Sequence, residues 1–314
     1  MTLSSADITF KGLTTNELSG YSTAGAGDVN GDGYDDVLIS APGTTASGKI
    51  EAGKSYLIYG GIGLETKLDP TGNMNLSEAD VTFSGAMTGD SSGISVAGAG
   101  DINGDGYDDI LIGAPAADLA AGKSYLIYGG TGLSASLSLA NANIVTFNGI
   151  ETANESGKSV SAGGDVNGDG YDDILIGAPS SNTFFGETYL IYGKSDLLTS
   201  QVLSSADVTL SGVADSDENG YSVAAAGDVN DDGYADILIG DFGPNTYLVY
   251  GGSDLSTRLS LSNADVTLNS TPSVGHFVAG AGDVNNDGYD DVLIGSPGIN
   301  GDAGETYLFL GHGK

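Results

Sequence analysis

Short runs of apolar and β-branched residues recur along the whole chain, separated by stretches rich in Gly, Asn and Asp. Runs of this length and composition are typical of β-strands, and helical periodicity is nowhere sustained. Four types of segment follow one another in a fixed order, and we label them A to D. Segment A is rich in Gly, Ala and Val, B is a continuous apolar run, C is aromatic and apolar, and D has the form ADVTF. The pattern predicts an all-β protein.

The order A to D is repeated through five units. Segment A lies at 20–27, 93–100, 157–164, 220–227 and 275–282; B follows a short loop, as at Val37–Ser40 and Ile110–Gly113; C lies at 55–59, 124–128, 188–192, 246–250 and 306–310; D lies at 6–10, 79–83, 143–147, 206–210 and 264–268.

The apolar runs in B and C indicate strands that are covered on both faces of their sheet. Four antiparallel strands repeated around an axis meet this requirement in a β-propeller. A linear solenoid is the alternative, but it would need atypical end repeats, and none is visible. We therefore predict a single β-propeller domain over residues 1–314, built from five four-stranded blades.

The chain ends are expected to close the ring. The chain opens with a D segment, Ala6–Phe10, and ends with a C segment, Thr306–Leu310. The N-terminal strand would then complete the last blade and cover its open sheet edge.

An acidic nine-residue segment joins A to B in every repeat. The five copies are DVNGDGYDD from Asp28, DINGDGYDD from Asp101, DVNGDGYDD from Asp165, DVNDDGYAD from Asp228 and DVNNDGYDD from Asp283. Each places side-chain oxygens at positions one, three, five and nine around a Gly at position six. Such alternation suits a hard cation with oxygen ligands, and three carboxylates with amide and carbonyl oxygens favour Ca²⁺ over Mg²⁺.

Two other interpretations of these loops are less favourable. An EF-hand loop would close with Glu at position twelve, but that position is Ile39, Ile112, Ile176, Ile239 or Ile294, and the flanks are strand-like. Five turns without bound metal would leave clustered carboxylates to repel one another. Positions eight and nine should point in opposite directions at the start of a strand, so position nine is the better ligand. We expect one structural Ca²⁺ per blade between strands A and B, with an affinity of about 10⁻⁴ to 10⁻³ M or somewhat tighter.

The charge balance limits the possible partners. The chain has 42 acidic and 9 basic residues and a formal net charge of −33, which disfavours nucleic acid and anionic membranes. It has no Cys, which excludes disulfides and thiolate sites, and no apolar run long enough to span a membrane. Its N-terminus already begins a repeat and does not resemble a signal peptide, so we expect a module of a larger chain or a mature form.

These motifs resemble the FG-GAP repeat of the integrin α-subunit head, including bacterial-style integrin-like proteins. The resemblance rests on the loop D-x-N-x-D-G-Y-x-D, on the Gly that opens segment A, and on LISAPG (38–43), LIGAPA (111–116), LIGAPS (175–180) and LIGSPG (293–298). The fourth repeat departs from it, with LIGDFG at 238–243.

The resemblance implies five calcium sites. In each site the ligands would be the side chains at positions one, three, five and nine and the main-chain carbonyl at position seven. They are Asp28, Asn30, Asp32, Tyr34 and Asp36; Asp101, Asn103, Asp105, Tyr107 and Asp109; Asp165, Asn167, Asp169, Tyr171 and Asp173; Asp228, Asn230, Asp232, Tyr234 and Asp236; and Asp283, Asn285, Asp287, Tyr289 and Asp291.

A partner surface is expected on the face opposite the acidic loops. The connections there vary most in sequence; they are the D–A loops 11–19, 84–92, 148–156, 211–219 and 269–274, and the B–C loops 43–53, 116–121, 180–185, 241–245 and 298–303. Phe184, Phe185 and Phe242 are candidate anchors, although such side chains often pack under their own loop. The acidic stretch Asp215, Asp217 and Glu218 is either an additional site or a solvated loop.

Catalytic arrangements are scarce. The two histidines, His276 and His312, have no nucleophile or orienting acid near them in the pattern. We therefore predict a non-enzymatic calcium-binding propeller for extracellular or cell-surface adhesion and recognition, with a protein or glycan ligand. A carbohydrate-binding lectin module is the first alternative. A hydrolase or lyase that uses acidic residues such as Asp217 or Glu218 is the second.

Overall fold

The computed structural model describes residues 6–141, 143–269, 277–297 and 303–313. Almost all regular structure in these ranges is β-strand. In chain order the strands are β1 (Thr9–Lys11), β2 (Thr23–Gly27), β3 (Asp36–Ala41), β4 (Lys54–Ile58), β5 (Asn73–Asn75), β6 (Val81–Ser84), β7 (Ser95–Gly100), β8 (Asp109–Ala114), β9 (Lys123–Ile127), β10 (Ser136–Ser138), β11 (Val145–Asn148), β12 (Ser159–Gly164), β13 (Asp173–Ala178), β14 (Glu187–Ile191), β15 (Ser200–Val202), β16 (Val208–Ser211), β17 (Ser222–Gly227), β18 (Asp236–Gly240), β19 (Asn245–Val249), β20 (Arg258–Ser260), β21 (Val266–Asn269), β22 (Phe277–Gly282), β23 (Asp291–Ser296) and β24 (Glu305–Phe309).

Helical structure in the described residues is limited to single turns. Short 3-10 turns lie at Leu64–Lys67, Leu76–Glu78, Leu203–Ser205 and Leu261–Asn263, and one-turn segments lie at Ala117–Ala120 and Ser181–Phe184. None of these helices is long and apolar enough to cross a membrane.

Five sheets repeat one antiparallel order, as the sequence predicts. The first four each run A-B-C-D: β2-β3-β4-β6, β7-β8-β9-β11, β12-β13-β14-β16 and β17-β18-β19-β21. The fifth contains β22-β23-β24 within the described residues. The all-β class and the five repeated sheets are therefore confirmed.

A short fifth strand is a feature that the sequence analysis missed. Strands β10, β15 and β20 come from the C–D connection of the following repeat and pair in parallel with the D strand of the preceding sheet. A buried leucine directly follows each of these three strands and the equivalent strand β5; these residues are Leu139, Leu203, Leu261 and, after β5, Leu76. The repeated leucine ahead of each D segment was the available signal.

The core lies between successive sheets. The A strands β2, β7, β12, β17 and β22 pack in sequence, each against the next. Leu38 and Leu57 of the first sheet, for example, are fully buried against Ile110 and Ile112 of the second. The apolar faces of each sheet are therefore buried from water only when the neighbouring sheets are in place.

The predicted closure by the N-terminal strand is not confirmed within the described residues. Strand β1 pairs in parallel with β5, as the D strands of the other repeats pair with β10, β15 and β20, and it does not join β24. A Cβ added to Gly98 would lie 2.6 Å from the Gly25 carbonyl oxygen in β2, whereas no described atom lies within 4 Å of one added to Gly25. Strand β7 of the second sheet therefore packs closely on β2 at this point.

Candidate functional site

The five acidic loops lie at one end of the sheets, which we call the loop rim, and each connects an A strand to a B strand. The pairing of the two strands shifts register just before each loop, as between Gly25 and Gly27 in the first repeat. Gly33, at position six, has φ +87°. Because L-residues with a side chain rarely adopt this conformation, glycine is needed for the turn.

The carboxylate at position one organises the first half of the loop. Asp28 Oδ1 accepts hydrogen bonds from the N–H groups of Gly31 (2.8 Å) and Asp32 (3.0 Å), and Oδ2 accepts one from Gly33 (2.8 Å). The same three bonds recur in the loops that begin at Asp101 and Asp165. The loop is therefore curled around this carboxylate.

The carboxylate at position nine lies on the first residue of strand B and is buried. Asp36 Oδ2 accepts a hydrogen bond from the N–H of Val29 (3.1 Å), and Oδ1 accepts one from Gly60 (2.9 Å) at the end of strand C. This residue therefore ties strands A, B and C together at the loop rim. The same pair of contacts is made by Asp109, Asp173, Asp236 and Asp291.

Burial makes ionisation of this residue costly. Burial raises the pKa of Asp36 to about 6, the two backbone amides oppose the change, and the nearby carboxylates of Asp32 and Asp28 raise it further. The same causes raise the pKa of Asp109, Asp173 and Asp236 to about 7. Three acids of each of these loops are thus close enough to repel one another, and a cation between them would relieve that repulsion.

The amide at position three differs in one loop. In the first loop Asn30 Nδ2 donates to Asp32 Oδ2 (3.1 Å), and Asn30 Oδ1 accepts from the N–H of Asp32 (2.8 Å). In the fourth loop Asn230 is buried, and neither its Oδ1 nor its Nδ2 finds a hydrogen-bond partner among the described residues. A buried amide oxygen without a partner, beside three carboxylates, fits a cation ligand.

The donor chemistry of all five loops fits a hard divalent ion. A carboxylate oxygen has two lone pairs, so one that accepts a single backbone amide, as Asp28 Oδ2 and both oxygens of Asp36 do, retains a lone pair for a cation. Within the described ranges no three acidic or histidine side chains are grouped closely enough to hold an ion as they stand.

The predicted ligands occupy equivalent places in every repeat. Position nine is buried, position five is exposed, and position one is half-buried except at Asp283, which is exposed. The structure therefore brings each predicted set together on one loop, with position nine beneath positions one and five.

Position eight plays a part that the sequence analysis missed. Its side chain points away from its own loop, as expected, but it contacts the loop of the preceding repeat. Asp108 Oδ2 accepts a hydrogen bond from the N–H of Asp28 (2.7 Å), and the ring of Tyr107 lies over Gly31. Only the stacking order of the repeats, which the motif spacing does not give, could have indicated this contact.

The D–A and B–C loops meet at the other end of the sheets, which we call the opposite rim. The D–A loop 211–219 contacts two B–C loops: the N–H of Glu218 donates to the Phe184 carbonyl (3.0 Å), and the N–H of Phe242 donates to the Asp217 carbonyl (2.7 Å). Of the predicted anchors, Phe184 and Phe242 are about half exposed, whereas Phe185 is more buried.

Phe242 belongs to an aromatic cluster that the sequence analysis only partly identified. Its ring centroid lies 5.4 Å from that of Tyr221, which lies 6.4 Å from that of Phe277. The Lys158 ammonium is 5.9 Å from the Tyr221 ring. Tyr221 immediately precedes the A strand β17, and Phe277 begins the A strand β22 of the next repeat, so the cluster forms only when the repeats stack.

The acidic stretch of the opposite rim is held mainly by local bonds. Asp217 Oδ2 accepts a hydrogen bond from the N–H of Ala214 (3.0 Å) and lies near the buried Asp241. Asp215 is exposed. The N–H of His312 donates to the Val229 carbonyl (3.0 Å), and His276 lies outside the described residues.

Comparison with known proteins agrees with the repeated loops. The FG-GAP repeat family matches residues 19–58, 92–128, 156–191, 219–250 and 274–309. Integrin alpha-5 of Xenopus laevis is 30% identical over 262 residues, which cover 77% of this chain and 22% of the relative. Integrin alpha-V of Gallus gallus is 28% identical over 234 residues, covering 74% and 21%. Integrin alpha-IIb of Mus musculus is 34% identical over 162 residues, covering 48% and 15%.

The chain thus spans about a fifth or less of the length of these relatives. The family match coincides with all five A-loop-B-C units seen in the sheets, and it includes every acidic loop. On these grounds the chain belongs to the FG-GAP repeat family, and it is an integrin-α-like member with a β-propeller type of repeat.

Proposed function

We propose that this chain is a calcium-stabilised, non-enzymatic recognition module that acts outside the cell or at its surface. Residues 1–314 would act as one domain in which each blade holds one Ca²⁺ at the loop rim. A protein or glycan ligand would bind the opposite rim. The observation that carries the proposal is the fivefold recurrence of one loop with three acids on a shared scaffold.

The calcium part rests on the cost of the buried carboxylates. Asp36, Asp109, Asp173 and Asp236 are each next to two other acids, and the backbone amides only partly offset the rise in pKa that burial causes. A divalent cation neutralises this charge and links strands A and B through shared ligands. Positions one, three, five and nine supply side-chain oxygens, and position seven supplies a carbonyl.

Calcium binding is tested by isothermal titration of chelator-treated protein with CaCl₂, compared with MgCl₂. We expect five calcium sites per chain and weaker binding of magnesium, which prefers fewer protein ligands and more water. Absence of calcium binding at millimolar concentration would overturn the proposal.

The partner part rests on the contrast between the rims and on membership of a family that includes integrin α subunits. Phe242 and Phe277 are about half exposed and lie together with Tyr221. Exposed aromatic clusters are enriched at binding surfaces because they bury a large area at low entropic cost. Beads coated with the chain should adhere to a layer of matrix protein, and a Phe242→Ser variant should adhere less.

A lectin module is the second candidate, because aromatic rings beside hydroxyl and amide groups also suit sugars. A glycan array probed with the calcium-loaded chain separates the two candidates. Selective binding to a few glycans, lost in Phe242→Ser, favours the lectin. Binding to protein layers alone favours the protein-recognition module.

A further inference from the structure

The acid at position eight does not face its own calcium loop. It contacts the loop of the preceding repeat. We infer that it is a positioning residue for the calcium site of the preceding blade, so that calcium binding in one loop and docking of the next blade strengthen each other. This inference rests on the proposed calcium function. It assigns a role to the one acid of the motif that is not among the expected ligands.

The contact recurs wherever position eight is Asp and a preceding repeat is present. Asp108 Oδ2 accepts from the N–H of Asp28 (2.7 Å), Asp172 Oδ2 from Asp101 (3.0 Å), and Asp290 Oδ2 from Asp228 (2.9 Å). In each case the donor belongs to the residue whose side chain would be the first calcium ligand. The bond therefore fixes the backbone from which that ligand projects.

The glycine before each loop shows how closely the carboxylate approaches. A Cβ added to Gly27, Gly100 or Gly227 would overlap the carboxylate of Asp108, Asp172 or Asp290, respectively. Gly282 precedes the fifth loop and has a similar φ of +64°, but a Cβ there meets nothing described within 4 Å. The close approach is thus made by the following blade and is not a property of the loop alone.

A second bond holds the same residue from its other side. The N–H of Asp108 donates to the Asp28 carbonyl (3.3 Å), and that of Asp290 donates to the Asp228 carbonyl (3.1 Å). In these two repeats the following blade therefore hydrogen-bonds both the N–H and the carbonyl of the position-one residue.

The third loop provides a natural exception. Its following repeat has Ala235 at position eight, so the N–H of Asp165 has no side-chain acceptor there. The N–H of Ala235 still donates to the Asp165 carbonyl (3.0 Å), so the two blades remain stacked. A Cβ on Gly164 would lie 2.8 Å from the Ala235 Cβ, which places that side chain where the carboxylate stands in the other repeats.

The alternative to coupling is that the position-eight contact only holds neighbouring blades together. It would change stability equally with and without calcium and would leave calcium affinity unaltered. Coupling, by contrast, requires that removing the acceptor weakens calcium binding in the preceding loop, because the first ligand is no longer held in place. Charge alone could also change affinity, so the comparison needs variants that separate charge from the hydrogen bond.

The experiment measures calcium binding by isothermal titration of the full chain, with thermal unfolding in EDTA and in calcium. Asp172→Ala is expected to weaken one of the five sites about tenfold, an ordinary size for coupling between sites. Asp172→Asn keeps an acceptor oxygen and should weaken it less than about threefold. Ala235→Asp adds the missing acceptor and should strengthen one site severalfold.

Two controls assign the effect. Asp35 occupies position eight of the first loop, is exposed, and has no preceding repeat in the described chain, so Asp35→Ala removes the same charge without the contact. It should leave affinity within about twofold. In an Asp105→Ala background, where the second loop has lost a ligand, Asp172→Ala should no longer change the binding of the remaining sites.

The outcomes are distinct. Calcium binding that is identical in wild type and Asp172→Ala, with equal loss of Tm in EDTA and in calcium, overturns the coupling but leaves the calcium function intact. A wild-type chain that takes up no calcium overturns both. An equal effect of Asp35→Ala and Asp172→Ala shows that charge alone acts, which also overturns the positioning role.

Discussion

The loop rim and the opposite rim belong to the same blades but follow different rules. At the loop rim each repeat presents the same acids with nearly the same hydrogen bonds, as Asp36 and Asp109 illustrate. At the opposite rim the connections differ in length and sequence, and Tyr221 packs against Phe242 in the fourth repeat, where the first three repeats have Ala and Pro in place of Asp241 and Phe242. A repeated rim suits a requirement that every blade shares, whereas a variable rim suits recognition of one partner.

Removal of calcium should have the largest effect, because it acts on all five loops at once. At a calcium concentration ten times the dissociation constant, each site contributes about 1.4 kcal/mol, or about 7 kcal/mol for five. We expect EDTA to lower the Tm by more than about 10 °C. Differential scanning fluorimetry in EDTA and in calcium measures this shift. An unchanged Tm would contradict a stabilising role of calcium at the loop rim.

Loss of one position-nine acid should be the next largest effect. Asp173→Ala removes the buried acceptor of the Val166 and Gly193 amides as well as a calcium ligand. We expect a loss of about 2–4 kcal/mol in unfolding free energy, because two buried donors lose their partner. Urea unfolding measures it. Asp215→Ala, an exposed acid of the opposite rim, is the control and should change stability by less than about 0.5 kcal/mol.

The two glycines that precede the second and fifth loops test how closely the following blade approaches the loop rim. Gly100→Ala and Gly282→Ala both place a side chain at positive φ, at a cost of about 1 kcal/mol. Only Gly100→Ala also overlaps a carboxylate, that of Asp172. We expect it to be more destabilising than Gly282→Ala by about 1–2 kcal/mol in urea unfolding. Equal losses would contradict the close approach of the following blade.

A pH effect at the opposite rim should be smaller. Burial raises the pKa of Asp241 to about 7, the main-chain and side-chain amides of Asn245 oppose this, and Asp217 adds to it. The folded state therefore holds a proton that the unfolded state loses near pH 4. The contribution of Asp241 to stability is present below about pH 4 and is lost as pH rises toward about 7.

Asp241→Ala tests this effect, because the corresponding residues of the first three repeats are already alanine. Between pH 4.5 and 7.5, in saturating calcium, wild type should lose about 1–3 kcal/mol more unfolding free energy than the variant. Parallel pH profiles would show that Asp241 does not titrate as proposed. The acids of the loop rim are common to both proteins and cancel in the difference.

The smallest expected effect on stability comes from the aromatic cluster of the opposite rim. Phe242→Ser should change the unfolding free energy by less than about 1 kcal/mol, since about half of the side chain is already in water. It should leave calcium binding unchanged and reduce bead adhesion. A large loss of stability, or of calcium, would show that the two rims do not have separate roles.

The sequence predicted the sheets and loops well because both depend on local patterns. Apolar runs and acidic loops are repeated, so each strand A to D could be placed within a few residues, as β3 (Asp36–Ala41) shows for the predicted Val37–Ser40. The opposite directions of Asp35 and Asp36 were also expected from the alternation of side chains at the start of a strand, but the burial of Asp36 was not predicted.

Features that depend on contacts between repeats could not be predicted in the same way. The contact of Asp108 with Asp28, the parallel strand β10 and the position of β1 beside β5 all depend on how neighbouring sheets stack. Local patterns describe one repeat, and they do not say which repeat lies next to a given loop or a free end. The closure of the ring therefore stays a prediction.

The most direct test of the account is the number of calcium ions that the chain binds, measured by equilibrium dialysis against millimolar calcium. We predict five ions per chain in the wild type and four in Asp105→Ala, which removes one carboxylate from the second loop. A wild-type value near zero, or an unchanged value in Asp105→Ala, would contradict the claim that each acidic loop holds an ion.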